Sequence, residues 1–295
     1  MMQANVRWGN WGLFALLSLI WGSSFILMKI GLFNESSLST LSAYQVAALR
    51  MLSAGLVLLP LAIRSVRQVP REKLKMLGLT GILGSFIPAF LFCIAETKID
   101  SSLAGFLNAL TPIMTIVIGR IFFDVTVEAK KITGVILAFS GMFILFMAGA
   151  RQHSEHIFYA SFVLLATVCY ALNVNIANTH LKEIGSTHIA AISFSLLIPP
   201  SLIVLGLTGF FQLNFTSDIL VSAGASTLLG VLGTAIASII FYQLMKKAGP
   251  VFASMVTYGI PFIALGWGVA AGENIDLPQL AGLGVILIGV YMTNK

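Results

Sequence analysis

Charge is scarce in this 295-residue chain: Asp, Glu, Lys and Arg together make up 9% of it, against 58% hydrophobic residues and a mean hydropathy of +0.96. A water-soluble domain carries roughly 25% charged and 45–50% apolar residues, so this sequence cannot coat a globule in water. Cysteine is scarce too. Cys93 and Cys169 both fall inside apolar runs without metal-ligand spacing and read as buried thiols. The four histidines, His153, His156, His180 and His188, lie in loops or at the ends of runs. No H-E-x-x-H or G-x-S-x-G string occurs, and no acidic pair lies within an apolar run, which argues against an intramembrane enzyme. Nothing calls for a metal or a cofactor.

What the chain has in abundance is long apolar runs. A membrane-crossing helix needs about 20 mostly apolar residues. Cutting at charged and turn-rich punctuation leaves ten such runs, at 12–31, 42–63, 76–95, 102–120, 132–149, 158–178, 188–208, 219–244, 250–271 and 279–294. They are too long, and too poor in apolar–polar alternation, for barrel strands. The first run contains Gly22-Ser23-Ser24 and lacks a small-residue cleavage site, so it reads as a permanent helix rather than a signal. The expected partner is therefore the lipid bilayer.

The few charges are distributed unevenly. One set of loops and termini holds Arg7, Arg64, Arg67, Arg71, Lys73, Lys75, Arg120, Lys130, Lys131, Lys182, Lys246, Lys247 and Lys295, thirteen in all. The opposite loops hold two, Lys98 and Arg151. Cytoplasmic loops carry excess Lys and Arg, so both termini are expected in the cytoplasm of a cell-membrane protein. The net charge of +6 is then a topology signal, with no basic patch for nucleic acid.

The sequence also repeats. Residues 108–124 read NALTPIMTIVIGRIFFD and residues 257–273, 149 positions on, read TYGIPFIALGWGVAAGE. The same offset pairs Gly84 with Gly233, Phe92 with Phe241 and Pro112 with Pro261. This predicts two five-helix repeats, 1–150 and 151–295. Five is odd, so the second repeat enters the membrane inverted. Inverted repeats are characteristic of secondary transporters, whose substrate sits between the halves, although channel-like pores use them as well.

Asn108-Ala109-Leu110-Thr111-Pro112 with an acid at the end of its run, Trp21-Gly22-Ser23-Ser24-Phe25, and Arg50 early in the second run together resemble the EamA family of the drug/metabolite transporter superfamily. The resemblance covers essentially the whole chain. It departs at Phe123-Asp124, where the family usually has Gly-Glu; Gly272-Glu273 keeps that form. It implies a ten-helix all-α exporter or facilitator of small metabolites, amino acids or drugs with a central cavity.

Candidate substrate contacts follow from what is costly to bury in lipid. Arg50, about two turns into its helix, either attracts a carboxylate or pairs structurally with Glu96. Lys29 is expected to snorkel outward. Tyr170 and Asn173 share a helix face and are expected at the cavity, whereas Asn175 and Asn178 are expected to bond between helices. Asn108 with Thr111, and Thr257 with Tyr258, open the two repeated helices. Trp21, near the midplane where interfacial anchoring is unavailable, is expected at the cavity with Phe25 and Phe86. Pro112 and Pro261, at matched places, are expected hinges. Gly134, Gly141, Gly282 and Gly289 form small-residue faces that pack either within the chain or between two copies in a homodimer.

Overall fold

The computed structural model describes residues 2–34, 36, 38–99, 101–149, 157–270 and 276–293. Arg151, His153, His156 and Gly272-Glu273 lie outside the described residues, as does the side chain of Trp267. Among the described residues the fold is helical throughout, apart from an isolated bridge between Phe33 and Ser39. Eight helices are long and apolar enough to cross a membrane. They are α1 (Gly9–Leu32), α2 (Ala43–Gln68), α3 (Arg71–Ala95), α4 (Leu103–Phe122), α5 (Ala129–Met147), α6 (Phe158–His180), α7 (Ser186–Leu207) and α8 (Ser217–Ala248). Two shorter apolar helices follow, α9 (Pro250–Ile263) and α10 (Leu277–Thr293). The chain is a multi-pass membrane protein.

Local chemistry sets where the helices begin and break. At the start of α2 the Ser42 hydroxyl accepts from the Gln45 backbone N–H at 3.3 Å, and the Gln45 side chain accepts from the Ser42 N–H at 3.0 Å. This capping box satisfies two donors that the first helical turn leaves without partners. The Gln45 amide then donates to Thr208 O at 3.0 Å, tying α2 to the end of α7. α4 breaks after Asn108 and restarts at Thr111, with Pro112 in the first turn of the second piece. α9 breaks in the same way, through a 3-10 stretch Met255–Tyr258, and resumes at Ile260 with Pro261 next. Proline lacks an N–H and is accommodated most readily in such an opening turn, which accounts for both breaks.

Lipid-facing side chains such as Leu56, Ile63, Phe122 and Leu207 are apolar and exposed. Lipid gives apolar faces no reason to associate, so helices must pair through close packing. α5 and α10 do so through their glycines. A Cβ on Gly134 would lie 2.7 Å from Gly289 O and one on Gly289 2.5 Å from Gly134 O; Gly141 and Gly282 approach each other's carbonyls in the same reciprocal way. The small-residue faces are thus used within the chain. α1 packs mainly against α8 and α9, and α6 against α3 and α4, so each first helix is seated among helices of the other repeat.

Gly289→Leu is expected to cost roughly 1–3 kcal/mol by overpacking. Gly284→Leu, where nothing lies within 4 Å of an added Cβ, is expected to change stability by less than about 0.5 kcal/mol. Thermal melting of the purified variants checks the contrast; equal melting would sink this packing account.

Candidate functional site

α3 and α8 each contain a stretch of π-helix, Ile82–Phe86 and Leu229–Ile236. Shifted by 149 residues, the first stretch falls within the second. A π turn loosens the ordinary i−4 ladder, so carbonyls within it become available to other donors. Gly233 O accepts from the Trp21 indole N–H at 3.0 Å. Thr234 Oγ1 donates to Leu229 O at 3.4 Å and accepts from Arg50 Nε at 2.7 Å. Arg50 is half-buried, and its Nε is bonded to the Thr234 hydroxyl.

These groups surround a cavity of about 120 Å³ in the middle of the bundle. Its wall is built in pairs separated by 149 positions: Trp21 and Tyr170, Ser24 and Asn173, Phe25 and Val174, Gly84 and Gly233, Ser85 and Thr234, Phe92 and Phe241, Asn108 and Thr257, Thr111 and Ile260. Met28, Arg50, Ser238, Tyr242 and Ser254 complete it. The pairing extends to ring contacts. Trp21 packs on Phe241 with centroids 5.6 Å apart, and Tyr170 packs on Phe92 at 6.2 Å. Each contact joins one repeat to the other. Asn173 packs on Gly84, where a Cβ would meet its side chain at 2.5 Å, and accepts from the Tyr242 hydroxyl at 3.3 Å. Thr111 Oγ1 donates to Asn108 O at 2.7 Å, one of the carbonyls at the α4 break.

Six of the eight substrate contacts expected from sequence therefore meet here: Trp21, Phe25, Arg50, Asn108, Tyr170 and Asn173. Phe86 and Tyr258 do not line this cavity. The Phe86 ring packs on Phe90 with centroids 4.9 Å apart. Tyr258 is fully buried, and its hydroxyl donates to Val135 O at 3.4 Å. It stands one position past Thr257, the true counterpart of Asn108; the counterpart of Thr111 is Ile260. Ser24, Ser85, Thr234 and Thr257 were not singled out as substrate contacts in the sequence. Applying the repeat offset to Asn108 and Asn173 would have found two of them.

A second cavity, of about 540 Å³, opens among α1, α4, α5, α9 and α10. Phe25 and Ile260 belong to both cavities and stand between them, and Pro261 lines the larger one. Lys29 reaches toward its end of the bundle: its ammonium donates to Glu96 O at 2.7 Å and Ile99 O at 3.4 Å, just past α3, and lies 5.6 Å from the Phe33 ring, while its side chain borders this space. Ile26 also lines it, and 149 positions on stands Asn175. There the surroundings are close-packed. Asn175 is buried, its amide donates to Thr115 O at 3.0 Å and Ala171 O at 2.8 Å, and it fills the space beside Gly119. Among the described residues no group of three His, Cys, Asp or Glu side chains could hold a metal ion.

Apolar helices thus enclose a small, partly polar chamber whose wall draws on both halves of the chain. The chain belongs to the EamA-like transporter family, whose pattern matches residues 9–147 and again residues 157–295. It is a membrane transporter and not an enzyme. It is similar to an uncharacterized transporter of Archaeoglobus fulgidus, 24% identical over 291 residues covering 96% of this chain and 98% of that protein. It is also similar to proteins named probable amino-acid metabolite efflux pump. The one from Salmonella typhimurium is 26% identical, over 94% of this chain and 92% of that protein. The one from Escherichia coli is 29% identical, over 89% and 78%. A solved crystal structure matches over 97% of both chains with a TM-score of 0.71 at 16% identity, which establishes a shared fold.

In a chain whose two native cysteines are replaced by alanine, Ser85→Cys and Ser238→Cys should react with a small water-soluble thiol reagent. Ser201→Cys, at a fully buried place in α7, should react at least about tenfold more slowly, because reactivity requires access as a thiolate. Mass spectrometry of the labelled protein reads the ratio, and equal rates would contradict a wetted central chamber.

Proposed function

We propose that the chain is a secondary transporter that carries a small metabolite, of the amino-acid, related organic-solute or drug type, by alternating access. The observation that carries this reading is the wall of the central cavity, to which both repeats contribute equivalent residues. With five apolar segments in each half, 1–150 and 151–295, the second half runs inverted. One chamber then has two equivalent exits, facing opposite sides of the membrane. The excess of Lys and Arg on one set of loops supports cytoplasmic termini in a cell membrane, and the efflux pumps among its relatives support export.

The contrast between the two ends supports the same reading. At the Lys29 end the larger cavity reaches the chamber as far as Phe25 and Ile260. At the other end the counterpart of Ile26 is Asn175, bonded and buried. On the proposed topology this is an outward-facing arrangement with a closed cytoplasmic side. Alternation exchanges the two, with the helix breaks at Pro112 and Pro261 serving as matched hinges. A channel-like pore would need a continuous polar lining, which the packing around Asn175 interrupts. Among the described residues no Asp or Glu lines the central cavity, so facilitated movement or weak proton coupling fits better than a carboxylate relay.

Flux into proteoliposomes of a labelled panel of amino acids and related solutes tests the proposal, with and without a pH gradient. One class is expected to move saturably, and Trp21→Ala or Asn173→Ala is expected to reduce its kcat/KM at least about tenfold, the equivalent of roughly 1.4 kcal/mol. Flux that never saturates, or that survives both substitutions unchanged, would contradict a carrier working through this chamber.

A further inference from the structure

The chamber's two halves match closely except in charge. Among the described residues Arg50 is the one charged side chain in its wall; the other polar side-chain groups are hydroxyls, an indole N–H and amides, and no carboxylate lines it. The position 149 residues beyond Arg50 is Pro199, which takes no part in the lining. Arg50 is also held in a particular way. Its Nε is committed to Thr234 Oγ1 at 2.7 Å, and its Nη groups have no hydrogen-bond partner among the described residues. A guanidinium has five N–H donors, so four remain on the edge that grips a carboxylate through two parallel bonds. A charge within a lipid-surrounded bundle is costly unless it is hydrated or paired. Among the described residues no carboxylate lines the chamber beside the Nη edge, so an anionic solute is its natural complement there.

The rest of the wall describes the body attached to that anion. Trp21 with Phe241, and Tyr170 with Phe92, form two ring pairs at the chamber. Flat aromatic faces favour offset or edge-on contact with another ring. The chamber measures about 120 Å³, below the roughly 150 Å³ of an engineered apolar cavity that takes benzene, so it holds no more than one ring and must widen around an attached carboxylate.

We infer that the substrate class of this chamber is an aromatic monocarboxylate, its carboxylate on the Nη edge of Arg50 and its single ring among Trp21, Phe241, Tyr170 and Phe92. This rests on the proposed carrier function and narrows it. The chamber discriminates by charge: an organic anion is favoured, a zwitterion meets only neutral oxygens with its ammonium, and a permanent cation meets the guanidinium with nothing to offset it. Specificity for the ring and for the charge thus come from different residues and separate by mutation.

The test uses the purified full-length protein in detergent, with equilibrium dialysis of radiolabelled phenylacetate. Saturable binding is expected. Acetate, which lacks the ring, and benzyltrimethylammonium, which reverses the charge, are each expected to compete at least about tenfold less well than unlabelled phenylacetate, the loss of one charge-assisted or aromatic contact. Arg50→Gln should weaken phenylacetate binding by a similar factor, and Arg50→Lys should recover part of it as a point charge. Phe241→Leu keeps the charge and should narrow the preference for phenylacetate over acetate. That second variant separates lost recognition from lost folding. Displacement by benzyltrimethylammonium as effective as by phenylacetate, unchanged affinity in folded Arg50→Gln, or no saturable binding would each overturn the inference. Saturable flux of cationic or neutral solutes in proteoliposomes, without phenylacetate binding, would leave the carrier function standing and remove this substrate class alone.

Discussion

Every polar group inside a protein surrounded by lipid must find a partner within that protein or in a water-filled space it encloses. The rest of this structure depends on that constraint. Two π-helical stretches, in α3 and α8, loosen the backbone in the middle of the bundle. In a soluble protein water would satisfy the freed groups. Here Trp21 donates to the carbonyl of Gly233, and Arg50 donates to the hydroxyl of Thr234. What is not absorbed in this way faces the chamber. The site therefore arises where the helical ladder is interrupted, and the same interruption in each half supplies equivalent walls.

The chamber also depends on how the helices are held apart and together. α5 and α10 meet through glycines that bring backbone to backbone, reciprocally, with no room for a side chain. Around that seam the first helix of each half is seated in the opposite half, so neither repeat encloses the chamber alone. Trp21 reaches Phe241 and Tyr170 reaches Phe92 because of this exchange. Symmetry of construction with asymmetry of charge gives one scaffold and a polarised site, Arg50 having no equivalent in the second half.

Much of this was legible in the sequence because lipid imposes a strong pattern. Long apolar runs with scarce charge gave the helices, and the repeated Asn/Thr-x-x-x-Pro strings gave the two halves and both helix breaks. Arg50, Trp21 and Asn173 stood out because polar or bulky groups at mid-membrane depth need a reason to be there. The π-helical turns were not legible: no residue type demands them, and the Gly84 and Gly233 echo marked the repeat without marking a chamber wall. Tyr258 misled because its chemistry suits a site while its register, one place past Thr257, turns it toward α5. Phe86 misled for a similar reason, its ring being drawn to Phe90. For Lys29 the direction was legible but not the partners, two carbonyls at the end of α3.

The central claim is that two inverted halves share one chamber and open its two ends in turn. Spin-label pairs at Ile30 and Leu280, and at Thr179 and Lys131, report the two ends separately, and pulsed dipolar spectroscopy gives both distances with and without a transported solute. The account predicts reciprocal change, with one distance shortening as the other lengthens. Distances that both stay fixed, or that change in the same direction, while the protein is transporting would contradict it.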